Sequence, residues 1–232
     1  MQAQPDSAVP PDGGGWLNRH VSPASSRWRF VLAPVVCGLI PVICVPTAEW
    51  IAVAPHGDEG VLWLVGLIFV PGLFAVPGFV AAVVGLAVRR FRRQSLLLAL
   101  SSAAYLVGLF YSTGLGESVR MSAFHRLAER SRPLVAAIRA FEQQQGRPPE
   151  SLQELVPEFL PFVPSTGMGA YPEYEYVAPA TSYDGNPWVI KVSTPSGGIN
   201  FDQFLYFPLT NYPKTGYGGY LERVGAWAYV HE

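Results

Sequence analysis

Four histidines, two cysteines and seventeen carboxylates are the residues with which this 232-residue chain could do chemistry. His20, His56, His125 and His231 stand apart, with no His-x-x-x-His spacing and no cysteine or paired carboxylate beside them. Their pattern gives no support for a zinc site. Cys37 and Cys44 are seven residues apart in an apolar segment. On a helix that spacing puts them on one face about 10 Å apart along the axis. A disulfide needs Cα atoms within about 7 Å, so the two read as small apolar filler. No Gly-x-Ser-x-Gly elbow and no phosphate-cradling glycine loop occurs. Gly216-Tyr217-Gly218-Gly219 reads as a turn before the last strand. Glu173, Glu175, Asp184 and Asp202 lack the spacing of a calcium loop and read as solvated surface acids. No catalytic, cofactor-binding or metal residue is therefore predicted, no cofactor is implied, and the chain reads as a non-enzyme.

The elements that carry these residues are set by an uneven charge distribution. Charged residues make up 14% of the chain, against about 25% in soluble proteins. Between Phe30 and Gly116 the only charged residues are Glu49, Asp58, Glu59 and the arginines at 89, 90, 92 and 93. A membrane-spanning helix needs about 20 mostly apolar residues. Three stretches qualify: about Phe30–Ala54, Val61–Val88 and Leu96 to about Leu115. The first is too long, and starts too late, for a cleavable signal peptide. Arg19, Arg27 and Arg29 precede the first span and the four arginines join the second to the third, whereas the loop at 55–60 has no Lys or Arg. The positive-inside rule then puts the N-terminus and the arginine loop in the cytoplasm and everything after Gly116 outside it. Residues 1–28 read as a disordered cytoplasmic tail, Pro- and Gly-rich in its first part. The prolines at 34, 41, 46, 71 and 77 read as kinks in packed spans rather than as a transport site. Glu49, beside Trp50 near the outer end of the first span, reads as an interfacial carboxylate reaching water.

After Glu117 the composition is that of a soluble domain, and the mild negative balance gives no reason to expect nucleic acid as a partner. Phe124, Leu127, Leu134, Ile138 and Phe141 form one apolar helical stripe. The third span can therefore run on into an amphipathic helix, with Pro133 either kinking it or opening a second helix capped by Ser131. Gly146 ends that helix, and a short helix is predicted over Pro149–Val156. Strands are predicted over Tyr174–Val177, Trp188–Val192, Phe201–Phe207 and Val224–Val230, with turns at 184–187 and 195–198. The fold class expected is an α-helical transmembrane region of three spans (29–116) plus an α+β extracytoplasmic domain (117–232). In that domain a long amphipathic helix packs on a small antiparallel sheet of three or four strands.

The stretch from Leu134 to Pro164 resembles type IV pilins and pseudopilins. The residues that carry the likeness are Ala136-Ala137-Ile138-Arg139-Ala140-Phe141, then Gly146-Arg147-Pro148-Pro149, Ser151-Leu152-Gln153-Glu154-Leu155-Val156-Pro157 and Phe162-Val163-Pro164. The resemblance implies a membrane helix running into an amphipathic helix that lies on a sheet. The third span, starting Gln94-Ser95-Leu96-Leu97, lacks the leader-peptidase glycine and the glutamate after it, and two spans precede it. Processing and polymerisation as a pilin are therefore not expected. The function expected is a non-enzymatic binding or scaffold protein of a bacterial inner membrane, with the bilayer and an extracytoplasmic or membrane protein as partners. An immunity protein or a component of an envelope complex would fit. A subunit of a transport or secretion assembly is the second expectation, and an envelope enzyme without a recognisable motif the third.

Overall fold

The computed structural model describes residues 23–196 and 200–232. Residues 1–22 of the tail predicted over 1–28, and the turn residues Gly197 and Gly198, lie outside the described residues. Three helices are long and apolar enough to cross a membrane, which makes this a multi-pass membrane protein. They are α1 (Pro23–Ala52), α2 (Gly60–Gly85) and α3 (Arg92–Arg130). The backbone of α1 is already helical at Pro23, inside the stretch read as tail. The internal prolines leave α1 and α2 each a single helix. Large apolar side chains such as Trp63, Leu73, Phe74 and Phe110 point away from the bundle, as a lipid-facing surface requires.

Inside the bundle the helices meet through small residues. Along α3 the buried positions are Ser95, Ala99, Ser102, Tyr105, Gly108, Ser112, Gly116 and Arg120, a three-to-four residue stripe. At Gly108 the approach to α1 is so close that a Cβ would lie 2.2 Å from the Gly38 carbonyl oxygen. Such contacts let backbones pack where no hydrophobic force drives helices together. Tyr105 donates its hydroxyl to the Ile68 carbonyl of α2, so its polar end has a partner within the bundle.

The stripe continues past the membrane with larger residues: Ala123, Phe124 and Leu127 are buried too. At about 1.5 Å per residue, the 39 residues of α3 span about 58 Å, roughly twice the hydrocarbon core. The distal half therefore belongs to the domain. A break at Ser131 starts α4 (Arg132–Gln145), with Pro133 in its first turn. Ser131 does not cap α4 with its side chain. Its hydroxyl instead donates to the Ala128 carbonyl and accepts from Trp227 Nε1 on the sheet. Gly146 closes α4 in the left-handed conformation, φ 70°. The helix predicted over Pro149–Val156 is a single 3-10 turn, Leu152–Leu155, because flanking prolines leave no room for more.

The sheet has six antiparallel strands among the described residues, in the order β1-β2-β3-β6-β5-β4. They are β1 (Glu175–Val177), β2 (Val189–Ser193), β3 (Gln203–Tyr206), β4 (Thr215–Gly216), β5 (Gly219–Val224) and β6 (Trp227–His231). The two strands beyond the expected four come from the segment read as an aromatic turn. Tyr217 and Gly218, both with positive φ, make the two-residue hairpin turn between β4 and β5. β5 escaped notice because Gly-Tyr-Leu-Glu-Arg-Val shows no clean apolar alternation and only Val224 is fully buried.

Alternation sorts the inner strands. Ile190, Val192, Phe204, Tyr206, Trp227 and Tyr229 face the helices and join Phe124, Leu127, Leu134 and Ile138 in the main core. Phe124 stacks on Phe204 at 4.8 Å between ring centres, and Phe204 on Trp227 at 4.9 Å. Val189, Leu205, Phe207 and Val230 point the other way, into a second cluster covered by Tyr183, Tyr212 and Tyr217. Phe141 is buried, with the Phe159 ring 5.5 Å away.

Candidate functional site at the membrane–domain junction

The domain core reaches into the bundle. Ala52 and Val53 at the end of α1 and Leu62 at the start of α2 belong to the same cluster as Phe124 and Trp227. The backbone N–H of Gly169 donates to the Ala54 carbonyl at 2.8 Å, and that of Ala170 to the Ala52 carbonyl at 3.0 Å. A Cβ at Gly169 would lie 2.1 Å from the Gly57 oxygen, so only glycine fits this contact. The α1–α2 loop is thus docked on the domain, and the arginine loop between α2 and α3 lies at the other end of the bundle.

Arg120 occupies the point where α3 leaves the bundle. Gly116, one turn earlier, packs against Val45 and Glu49 of α1. Arg120 is 2% exposed and Glu49 is 5% exposed. Their charged groups lie 3.8 Å apart, Arg120 Nη1 to Glu49 Oε1. Glu49 is therefore not an interfacial carboxylate reaching water. The domain covers it, and an arginine from the next turn of the bundle neutralises it. Arg120 Nη2 also donates to the Tyr171 hydroxyl at 3.0 Å and to the Thr194 carbonyl. The guanidinium carbon sits 5.6, 5.7 and 5.8 Å from the ring centres of Phe124, Tyr171 and Tyr229, a partly aromatic cage.

Hydrogen bonds from the loop before β3 and from the end of β6 fix this cage. The Tyr171 hydroxyl donates to the Pro195 carbonyl at 2.6 Å. Tyr229 donates to Asp202 Oδ2, which also accepts from Ser196 Oγ and Asn200 Nδ2, each at 3.2 Å. The Glu232 N–H donates to Asp202 Oδ1 at 2.9 Å. Asp202, expected as a solvated surface acid, is buried here. The other three acids of that set stay apart from it: Glu175 pairs with Lys191, Asp184 accepts from Tyr217, and Glu173 is exposed. Burial pushes the phenols of Tyr171 and Tyr229 well above the usual tyrosine range, against the pull of Arg120, so both remain hydrogen-bond donors.

These groups wall a cleft of about 400 Å³ between bundle and domain. Val45, Val65 and Phe69 form its apolar end, and Glu117, Asp202 and His231 its polar side. Glu49 Oε2 and Arg120 Nε and Nη1 make no hydrogen bond within the protein. A buried polar atom without a partner costs about 1–3 kcal/mol, and more when charged, so these atoms are suited to meeting a polar guest in the cleft. The arrangement can neutralise and orient.

Local sequence pattern does not single out Arg120. The signal that could have found it is its register: it falls on the same stripe as Gly108, Ser112, Gly116, Phe124 and Leu127. His231, isolated in sequence, is brought beside Glu222 and Glu117. Comparison with protein-family models, with characterised proteins and with solved structures finds no match.

Proposed function

We propose that this is a non-enzymatic, membrane-anchored binding or scaffold protein that presents its α+β domain outside the cytoplasm of a bacterial inner membrane. One observation carries the reading: the domain shares its core with the ends of α1 and α2, and a buried ion pair joins it to α1. Domain and bundle are one body. A freely tethered domain searches a volume, whereas a docked one holds its surface at a fixed height and orientation, as a presenting platform must. The arginines of the α2–α3 loop, at the end of the bundle away from the domain, support this orientation. The distal half of α3, laid across an antiparallel sheet and followed by the Gly146 break, supports a pseudopilin-like module. The docked α1–α2 loop supports a stationary role rather than fibre assembly.

The surface offered to a partner includes the exposed Phe162 and Phe201. A photo-crosslinking amino acid at 162 or 201, introduced in intact cells, should give a discrete protein adduct, and one at the exposed Gln144 should not. Absence of any protein adduct at both positions would overturn the binding reading. Adducts to integral membrane subunits that also stay with the protein through detergent purification would favour a subunit of a membrane assembly instead.

A further inference from the structure

Beside the cleft, three side chains from three elements converge. Glu117 comes from α3, Glu222 from β5 and His231 from β6, and one potential donor atom from each lies within 4.8 Å of the other two. His231 Nε2 is 2.8 Å from Glu222 Oε2, and Nδ1 is 3.9 Å from Glu117 Oε1. We propose that Glu117, Glu222 and His231 form a site for a divalent transition-metal ion of the zinc type, linking the membrane helix α3 to the sheet.

The donor set fits that class. One imidazole nitrogen and two carboxylate oxygens suit zinc and its neighbours, whereas calcium and magnesium favour oxygen alone. Three protein ligands leave a fourth position of a tetrahedral ion open. Glu117 and His231 both line the cleft that Arg120 and Glu49 border. His231 is held before any ion arrives, whereas the exposed Glu117, on the Nδ1 side of the ring, turns to share an ion with Glu222. The His231 ring stacks on Tyr220, 4.2 Å between centres and 4° from parallel, and meets the edge of Tyr229 at 4.2 Å. Glu222 and His231 are diagonal neighbours on paired strands, since Tyr220 pairs with His231 and Glu222 with Tyr229.

The charge around the site also favours a cation. Asp202 and Glu232 border the same cleft as Glu117 and His231, and the buried Arg120 there is already matched by Glu49. Glu49 Oε2, on a side chain more than nine-tenths buried in the same cleft, has no hydrogen-bond partner in the protein and points independently to a polar guest there. Metal binding here would clamp the domain to α3, adding to the docking that the α1–α2 loop already provides.

The test uses the full chain, purified in detergent through a tag without histidines, stripped with chelator and titrated with zinc chloride in a calorimeter. One ion per chain is expected. His231→Ala and Glu222→Gln should each weaken binding by at least about tenfold, the loss that removing even an outer partner of a metal ligand causes. Glu158→Gln, an exposed acid elsewhere, and His20→Ala should bind as the parent does. Cobalt should give visible absorption bands of four-coordinate intensity in the parent and not in His231→Ala. A chelator-treated melt of each variant that matches the parent separates loss of the site from loss of the fold, and Glu222→Gln keeps the side-chain shape. Absence of zinc heat in the parent, or zinc binding untouched by both substitutions, overturns the proposal and leaves His231 as a hydrogen-bonded bridge between two carboxylates.

Discussion

Replacing Glu49 by glutamine removes one charge of the buried pair and leaves the shape intact. At the 3.8 Å separation, and with an effective dielectric of about 20, the Coulomb attraction to Arg120 is about 4 kcal/mol. Arg120 keeps its bonds to Tyr171 and the Thr194 carbonyl in the variant, together with its aromatic neighbours. The loss should therefore fall near the lower end of the about 3–5 kcal/mol typical of breaking a buried pair. For a chain of this size that is a fall in melting temperature of about 6–12 °C. Arg120→Met should cost at least as much, because it strands the Glu49 carboxylate and removes the donor to Thr194. The double variant Glu49→Leu with Arg120→Met removes both charges and fills their space with apolar atoms. It should melt within about 1 kcal/mol of the parent, since buried pairs replaced by hydrophobic residues are often neutral. The assay is thermal unfolding of the full chain in detergent, followed by near-ultraviolet circular dichroism of its tyrosines and tryptophans. Single effects that simply add, with a coupling below about 1 kcal/mol, would refute the claim that the two side chains are joined and shielded from water.

Further outcomes follow from the same geometry. Gly169→Val should separate the α1–α2 loop from the domain, because its Cβ would fall on the Gly57 backbone; limited proteolysis should then cut between residues 53 and 59, where the parent is protected. Phe141→Ala should cost about 3–5 kcal/mol, and Glu142→Ala, one position round the helix, should cost little in the same thermal melt. The Tyr174 phenol, whose hydroxyl has no hydrogen-bond partner in the protein, is pushed up to about 12, mainly by burial. Between about pH 10, where an unfolded tyrosine titrates, and that value, the folded state holds a proton that the unfolded state has lost. Stability should therefore fall as pH rises through this window, and Tyr174→Phe should flatten the fall in alkaline denaturation curves.

Much of the architecture could be read from local pattern. The spans follow from length and apolarity, and the stripe from Phe124 to Phe141 follows from helical period. Gly146 and the strands around Ile190 and Phe204 follow from breakers and alternation. What could not be read depends on partners distant in sequence. Glu49 looks interfacial until the domain is placed over it, and its partner Arg120 looks like one more surface charge of an amphipathic helix. Asp202 looks solvated until β6 brings Tyr229 to it. Gly169 gives no sign of its contact with Gly57, and His231 gives no sign of Glu117 or Glu222. β5 packs few of its side chains, so its pattern carries little apolar signal, and its pairing is set by β6 and by the turn at Tyr217-Gly218. The candidate site is tertiary throughout: its charges come from α1, α3 and three strands or their flanks.

The central claim is that the domain sits outside the cytoplasm, on the end of the bundle away from the arginine loop. The most direct measurement is labelling of single cysteines in intact cells by a membrane-impermeant maleimide, with Cys37 and Cys44 replaced by alanine. Glu150→Cys, on the exposed surface of the domain, should label in intact cells. Arg90→Cys, in the arginine loop, should label only after the membrane is permeabilised. The opposite pattern, with residue 90 labelled in intact cells and residue 150 protected, would contradict the orientation and the presenting role built on it.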